Sequence, residues 1–363
     1  LIENISEENP RKLILMYMLL ILGKSIRELS NIVDDQDLMW LKEKKSNKAE
    51  VKGWASKLSM PDWLWGKLLE EYGEESAINL AKSLLSPANL NLRVNLLKEK
   101  NISKVIDDLT ISFPELKDKI TKTNLSPISI SLPRGTSIQK NPLFLDGLIE
   151  VQDEGSQILT FLVDPKRGTM VADFCAGAGG KTLGISAMMK NTGRLYAFDI
   201  SDKRLANLKK RLKRSGASNI MPQKIMHEND TKIKRLREKF DRVLVDAPCT
   251  GLGTLRRNPD LKWKHSLESL KELNIKQSLI INAASKLCKI GAHLIYATCS
   301  FLKEENETIV ENFLSDNINF RVLSPDSIFI KYGIPLKSDK YIKLKPDEHK
   351  TDGFFAVILE RFK

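Results

Sequence analysis

The chain has 363 residues, with 58 Lys and Arg against 46 Asp and Glu, a formal net charge of +12 and a sequence pI near 9.3. That length predicts two domains, and 42% hydrophobic with 29% charged residues excludes a disordered, collagenous or disulfide-scaffold chain. The positive excess points to a polyanionic partner without naming it. Cys175, Cys249, Cys288 and Cys299 are the only cysteines, and no two stand at C-x-x-C spacing. The usual zinc-ribbon and thioredoxin-like patterns are therefore absent, and so few thiols in a lysine-rich chain read as reduced and cytoplasmic.

The longest apolar run, 13–22, is about half of what a bilayer span requires. It follows Arg11-Lys12, but Glu3, Glu7 and Glu8 precede it and no small-residue cleavage site follows, so a buried helix is expected rather than a signal peptide or a membrane anchor. Residues 1 to about 120 read as mostly helical, with Leu64, Leu68, Leu69, Ile78, Leu80, Ala81, Leu84 and Leu85 at helical spacing between Pro61 and Pro87. Over 121–150 apolar residues alternate, as at Ile128, Ile130 and Leu132, and Ser, Thr, Pro and Gly increase. Short strands and a connector are expected there. From about 165, β-rich runs (170–175, 194–200, 241–247, 292–298, 354–362) alternate with amphipathic ones (203–214, 266–289, 304–314). This alternation predicts a doubly wound α/β domain with a mostly parallel sheet, whose ligands sit at the carboxyl ends of the strands.

The first loop after such a strand runs Asp173-Phe174-Cys175-Ala176-Gly177-Ala178-Gly179-Gly180-Lys181-Thr182. Its glycines permit a sharp turn and close approach to a ligand. A triphosphate-binding P-loop would need glycine at 175, where Cys175 stands. Asp199 ends the next strand, where an acid binds ribose hydroxyls, and Asp230 follows the third probable strand, within reach of an adenine. Together these acids suggest an adenosine cofactor, either S-adenosylmethionine or a dinucleotide.

The fourth strand runs into Asp246-Ala247-Pro248-Cys249-Thr250-Gly251, and the fifth into Ala297-Thr298-Cys299-Ser300. These strands are neighbours in a Rossmann-like order, so Cys249 and Cys299 would face one cleft. Cys288, on an apolar helical pattern with Ile280, Ala284 and Leu287, reads as core. Beside a methyl donor, a thiolate that adds to C6 of cytosine turns C5 into a nucleophile. Asp246 stands on the same loop as an acid partner for N3, and a second thiol could assist release. A zinc deaminase is disfavoured, because no P-C-x-x-C pair follows Pro248 and H-x-E is missing.

With these loops in view, the chain resembles the RsmB/Sun/Nop family of S-adenosylmethionine-dependent RNA (cytosine-5) methyltransferases over residues 60–363. Trp63-Leu64, Tyr72-Gly73, Arg93-Val94-Asn95 with Lys98, Val151-Gln152-Asp153 with Ser156, and Asp352-Gly353-Phe354-Phe355 also match. The resemblance implies a class I, Rossmann-like methyltransferase domain. It further implies that Cys175, Ala176, Gly177, Ala178, Gly179, Gly180 and Lys181 line the cofactor, that Asp199 binds its ribose, that Asp230 lies near its adenine and that Asp246 sits between cofactor and base. Cys299 maps to the nucleophile and Cys249 to the release group. The family usually has Ala-Pro where Gly177-Ala178 stands, a change expected to loosen the loop, and Thr250 replaces a common Ser.

Residues 201–240 carry 13 Lys and Arg against 4 Asp and Glu, which reads equally as a solvated helix or an RNA contact. Arg256 and Arg257, directly after the Cys249 loop, and Arg93 and Lys98 further back are the candidate phosphate contacts; Trp263 reads as a stacking platform or as core. The expectation is a monomer with a helical segment at 1–58, an RNA-recognition domain and connector at 59–160, and a methyltransferase domain at 161–363. Its expected substrate is ribosomal RNA, without a metal. A tRNA methyltransferase and an RNA-binding assembly factor are the alternatives.

Overall fold

Short runs that are apolar at nearly every position can only be buried on both faces, and five of them build the centre of the larger sheet. The computed structural model describes residues 9–20, 22–46 and 53–363, in two compact units, 1–60 and 61–363. In the first unit, helices Pro10–Leu20 and Asp35–Ser46 bury Leu15, Met16, Leu19, Leu29 and Leu41 together. The apolar run expected to form a buried helix is thus helical from 13 to 20 and partly in this small core, although Ile14 and Tyr17 face outward. No helix among the described residues is long and apolar enough to cross a membrane.

In the second unit, helix Asp62–Leu85 is broken at Gly73, which takes a φ of +73° that only glycine adopts readily. Beyond it lies a four-stranded antiparallel sheet in the order β2-β3-β1-β4, made of β1 (Leu90–Val94), β2 (Thr121–Lys122), β3 (Ser129–Leu132) and β4 (Ile149–Val151). Strand β1 corrects the helical reading of this stretch. Leu90, Leu92 and Val94 alternate with Asn91 and Arg93, the period of a strand buried on one face.

The second sheet holds β5 (Met170–Asp173), β6 (Arg194–Asp199), β7 (Ile220–Lys224), β8 (Phe240–Asp246), β9 (Cys288–Thr298), β10 (Phe320–Leu323), β11 (Tyr341–Leu344) and β12 (Phe354–Arg361). Its order is β10-β12-β9-β8-β5-β6-β7, with β11 paired to β12. The β5–β6, β6–β7, β5–β8 and β8–β9 pairs are parallel; β10, β11 and β12 join antiparallel. Helices such as Asp202–Ser215 and Leu267–Ser285 cover the faces, so the fold is the Rossmann-like methyltransferase arrangement expected. Strands β10 and β11 were not anticipated. The expected 266–289 helix stops at Ser285, so Cys288 opens β9 instead of lying on a helix; it remains fully buried.

The two sheets of this unit are joined by polar side chains. Buried Asn95 donates to the carbonyls of Gly147 and Ser215, both at 2.8 Å. Glu150, also buried, pairs with Arg211 at 2.8 Å and Arg214 at 2.6 Å. The basic helix 202–215 therefore spends two of its arginines on the neighbouring sheet, buries Leu205 and Leu208, and leaves its lysines in solvent.

Candidate active site

Chain order reverses between β5 and β8, and ligands of doubly wound sheets settle outside the carboxyl ends at that point. After β5 the loop passes through Gly177 at φ +57° and Gly179 at φ +84° into helix Gly180–Met188. A Cβ on Gly179 would lie 2.2 Å from Leu208 Cδ1, the end of a side chain that can turn aside, so the backbone conformation is what calls for glycine there. Gly177 has open space around it, which makes its departure from the family pattern a matter of backbone freedom alone. Asp199, at the end of β6, is buried and accepts from the amides of Gly177 and Ser201, each at 2.8 Å, locking the glycine loop to β6. Asp230 lies six residues beyond β7. Its two oxygens accept from the amides of Met226 and Lys232, which close the turn into helix Thr231–Arg235 and hold its carboxyl below the usual range.

Cys249 and Cys299 lie on loops after adjacent parallel strands, with their Sγ atoms 3.4 Å apart and both half-buried. Lys181 Nζ donates to Asp246 Oδ2 at 2.6 Å. Burial alone would lower the Lys181 ammonium, but the charge and hydrogen bond of Asp246 outweigh it and the net direction is up; Cys299 is among the groups that Lys181 feels. Cys249 is pushed well up by its hydrogen bond to Cys299 and by burial, with Glu305 adding to the effect. Cys175 is likewise pushed up by burial and by the carboxylates of Asp173, Asp246 and Asp199, so it is a neutral thiol.

The residues that hold these loops were not singled out from sequence. Fully buried Glu305 accepts from the Thr250 amide at 2.8 Å, the Thr250 hydroxyl at 2.6 Å and Gln277 Nε2 at 3.0 Å, and Gln277 also donates to the Pro248 carbonyl at 3.0 Å. Behind Cys299, the Gly253 amide donates to the Cys299 carbonyl at 2.9 Å and the Gly353 amide to the Gly253 carbonyl at 2.7 Å. Three backbones meet here, and a Cβ on Gly253 would stand 2.1 Å from the Gly353 oxygen. Thr298 and Ser300 are both tied to Asn306, and the Tyr72 hydroxyl reaches the Phe301 carbonyl at 2.7 Å across the Gly73 break. Asp173, at the end of β5, is buried with one oxygen accepting from Thr182 at 2.7 Å and the other without a partner. Burial, with Asp246 and Asp199 nearby, pushes its carboxyl up to about 7.

The four basic residues expected to meet phosphates are all engaged inside the protein. Arg93 is buried and donates to the Gly180 carbonyl at 2.6 Å and to Gln152. Lys98 donates to the Asp146 carbonyl. Arg256 donates to the carbonyls of Lys350 and Thr351, at 2.9 and 3.1 Å. Arg257 pairs with Asp352 at 2.6 Å and Asp153 at 2.9 Å, tying the Cys249 loop to both the connector and the start of β12. Arg93 is buried in such a joint and Arg256 half-buried, whereas Lys98 and Arg257 stay exposed while making these bonds. Among the described residues, no group of three or more His, Cys, Asp and Glu could hold a metal ion.

A family model described as 16S rRNA methyltransferase RsmB/F matches residues 160–360. The probable ribosomal RNA small subunit methyltransferase B of Bacillus subtilis (strain 168) is 30% identical over 312 residues, covering 86% of this chain and 68% of that protein. The 28S rRNA (cytosine-C(5))-methyltransferase of Mus musculus is 29% identical over 327 residues, 85% of this chain and 40% of that protein. Among solved structures, a methyltransferase homolog protein from Pyrococcus horikoshii superposes with a TM-score of 0.69 at 27% identity, over 85% of this chain and 97% of that one. The match runs through the glycine loop, both cysteine loops and β12, and the chain belongs to the RsmB/F family of 16S rRNA methyltransferases.

Proposed function

We propose that this protein transfers a methyl group from S-adenosylmethionine to C5 of a cytosine in ribosomal RNA, through a covalent adduct between Cys299 and C6 of the base. The observation that carries the reading is the pair of thiols 3.4 Å apart beside the Lys181–Asp246 ion pair, at the carboxyl ends of adjacent strands. Two thiols serve a reaction in which one attacks and one helps the first to leave.

The residues present fit the cofactor. Gly177 and Gly179 hold the loop in left-handed conformations that leave room for a ligand, Asp199 is fixed by two amides beside that loop, and Asp173 keeps a buried oxygen unpartnered. The segment 175–181, Asp199 and Asp230 would hold it, and bound S-adenosylmethionine supplies an electrophilic methyl group. On the protein side, the Cys299 thiolate adds to C6, and the Asp246 oxygen not held by Lys181 shares a proton with N3 as the ring gains charge. Once C5 carries the methyl group it loses its proton, the C6–S bond breaks and Cys299 leaves as thiolate. Cys249, kept as a neutral thiol, donates a hydrogen bond to the departing Cys299 sulfur, and the C5 proton passes to a solvent water. Reaching C6 requires the target nucleotide to be unstacked. In this reading 161–363 is the methyltransferase domain, 59–160 the RNA-recognition domain and connector, and 1–58 an accessory helical segment.

Cys299→Ala abolishes methyl transfer, and Cys249→Ala accumulates a protein–RNA adduct that survives denaturing electrophoresis. Normal turnover by Cys249→Ala without an adduct would overturn the two-thiol scheme. Bisulfite sequencing of RNA from cells with and without the protein identifies the substrate: loss of methylation at a ribosomal cytosine is expected, and loss confined to tRNA overturns the ribosomal assignment.

A further inference from the structure

With Arg256 and Arg257 bound internally, the stretch that follows the Cys249 loop still offers one unpaired cation. Helix Leu261–Lys264 packs on that loop, since Leu261 Cδ1 lies 3.1 Å from where a Cβ on Gly251 would stand, two residues past Cys249. The next residue, Lys262, is only 5% exposed and has no hydrogen-bond or ion-pair partner among the described residues. Its ammonium lies 5.7 Å from the centre of the Trp263 ring, and burial, opposed by no carboxylate, lowers its pKa. The packing encloses its methylene stem, while the ammonium at its tip keeps contact with solvent and meets no carboxylate among the described residues. Trp263 is the opposite case: a large aromatic side chain 60% exposed to solvent, which sets aside its reading as core.

A cation on a packed stem, short of an anion and next to an open aromatic face, has the two elements by which proteins hold a single nucleic-acid strand: a charge for the phosphodiester and a platform for the base. We propose that Lys262 and Trp263 form the subsite for a nucleotide adjoining the target cytosine, with the ammonium on its phosphate and the indole stacked on its base. This rests on the reading of RNA as substrate given above. Neither residue enters the chemistry at C5 or C6; the pair holds the strand while the target base is turned out toward Cys299.

The test is binding of the full chain to an unmodified transcript of small-subunit ribosomal RNA across a series of KCl concentrations. Lys262→Met weakens binding about 10-fold near 0.1 M salt and lowers the steepness of log K against log[KCl] by about 0.7–0.9, the loss of one phosphate contact. Lys262→Arg keeps the wild-type steepness. Trp263→Ala weakens binding about 10-fold with the steepness unchanged, as a lost stack requires. Because the unpaired ammonium burdens the free protein, Lys262→Met melts at or above the wild-type temperature. Unchanged salt dependence in Lys262→Met, its destabilisation, or undiminished binding by Trp263→Ala overturns the subsite. A wild-type protein that binds no RNA overturns the substrate reading instead.

Discussion

The two cysteine loops face one cleft and are braced differently. The Cys249 loop is braced from beneath by side chains: Glu305 and Gln277, both fully buried, satisfy Thr250 and Pro248 and bring a carboxylate beside the thiol. The Cys299 loop is held by main chain, through Gly253 and Gly353, and by the Asn306 side chain, which ties Thr298 and Ser300. Sequence reasoning could place both cysteines in one cleft but not rank them. The hydrogen bond to Cys299, burial and Glu305 together keep Cys249 protonated, the state the proposed scheme asks of it.

The comparison breaks most severely where the backbones touch. Gly253→Ala would drive a methyl into the Gly353 carbonyl and against that of Cys299, neither of which can retreat without moving β12 or the catalytic loop. A loss of about 3 kcal/mol in stability is expected from such overpacking. A fall of roughly 100-fold in kcat is expected from misplacing the attacking sulfur. Chemical denaturation and single-turnover methylation measure the two effects. An alanine variant as stable and active as wild type would mean that the Cys299 loop is not held in this way.

Next in size is Glu305→Gln, which keeps the shape of the brace but removes its charge. About 2 kcal/mol of stability is expected to go with the charge-assisted bonds to Thr250 and Gln277. The sharper reading comes from alkylation of Cys249 by iodoacetamide in a Cys299→Ala background. Glu305 raises the Cys249 thiol, so the glutamine variant should titrate lower, while the order of the remaining contacts is unchanged. An unchanged profile would leave Glu305 as a strut with no electrostatic part in separating the two thiols.

What could be read from the sequence and what could not follows from the range of the interactions. The glycine loop, Asp199 and both cysteines sit at strand ends inside short local patterns, so each was visible within about ten residues of chain. Glu305 acts on a loop 55 positions away and looks, locally, like the polar start of a helix. Arg256 and Arg257 follow the cysteine loop as free cations would, but the acids that claim Arg257 are Asp153 and Asp352, 104 and 95 positions distant. Strand β1 was lost because five residues of alternation lie between helices, and Cys288 because an apolar stretch near a helix end fits either period. In the family signature, Arg93 and Asn95 proved to be joints between the two sheets, while Lys98 is tied to Asp146 beside the smaller one, information that charge alone does not carry.

The smallest effect separates two buried carboxylates. Glu305 has three donors, whereas Asp173 has the Thr182 hydroxyl and one oxygen with nothing to accept from. Burial therefore raises Asp173 to about 7, above the roughly 4 of an unfolded chain. A carboxyl raised on folding binds its proton more tightly in the native state. Its contribution is present at low pH and is lost as pH climbs through the folded value. Asp173→Asn removes this titration, so the stability of the variant relative to wild type should improve by about 1.5 kcal/mol between pH 5 and 6.5 in the absence of cofactor. Denaturant melts of both proteins at the two pH values measure the difference. A difference that stays flat would mean that Asp173 ionises freely in the folded protein, and that the carboxyl end of β5 is wetter than its burial implies.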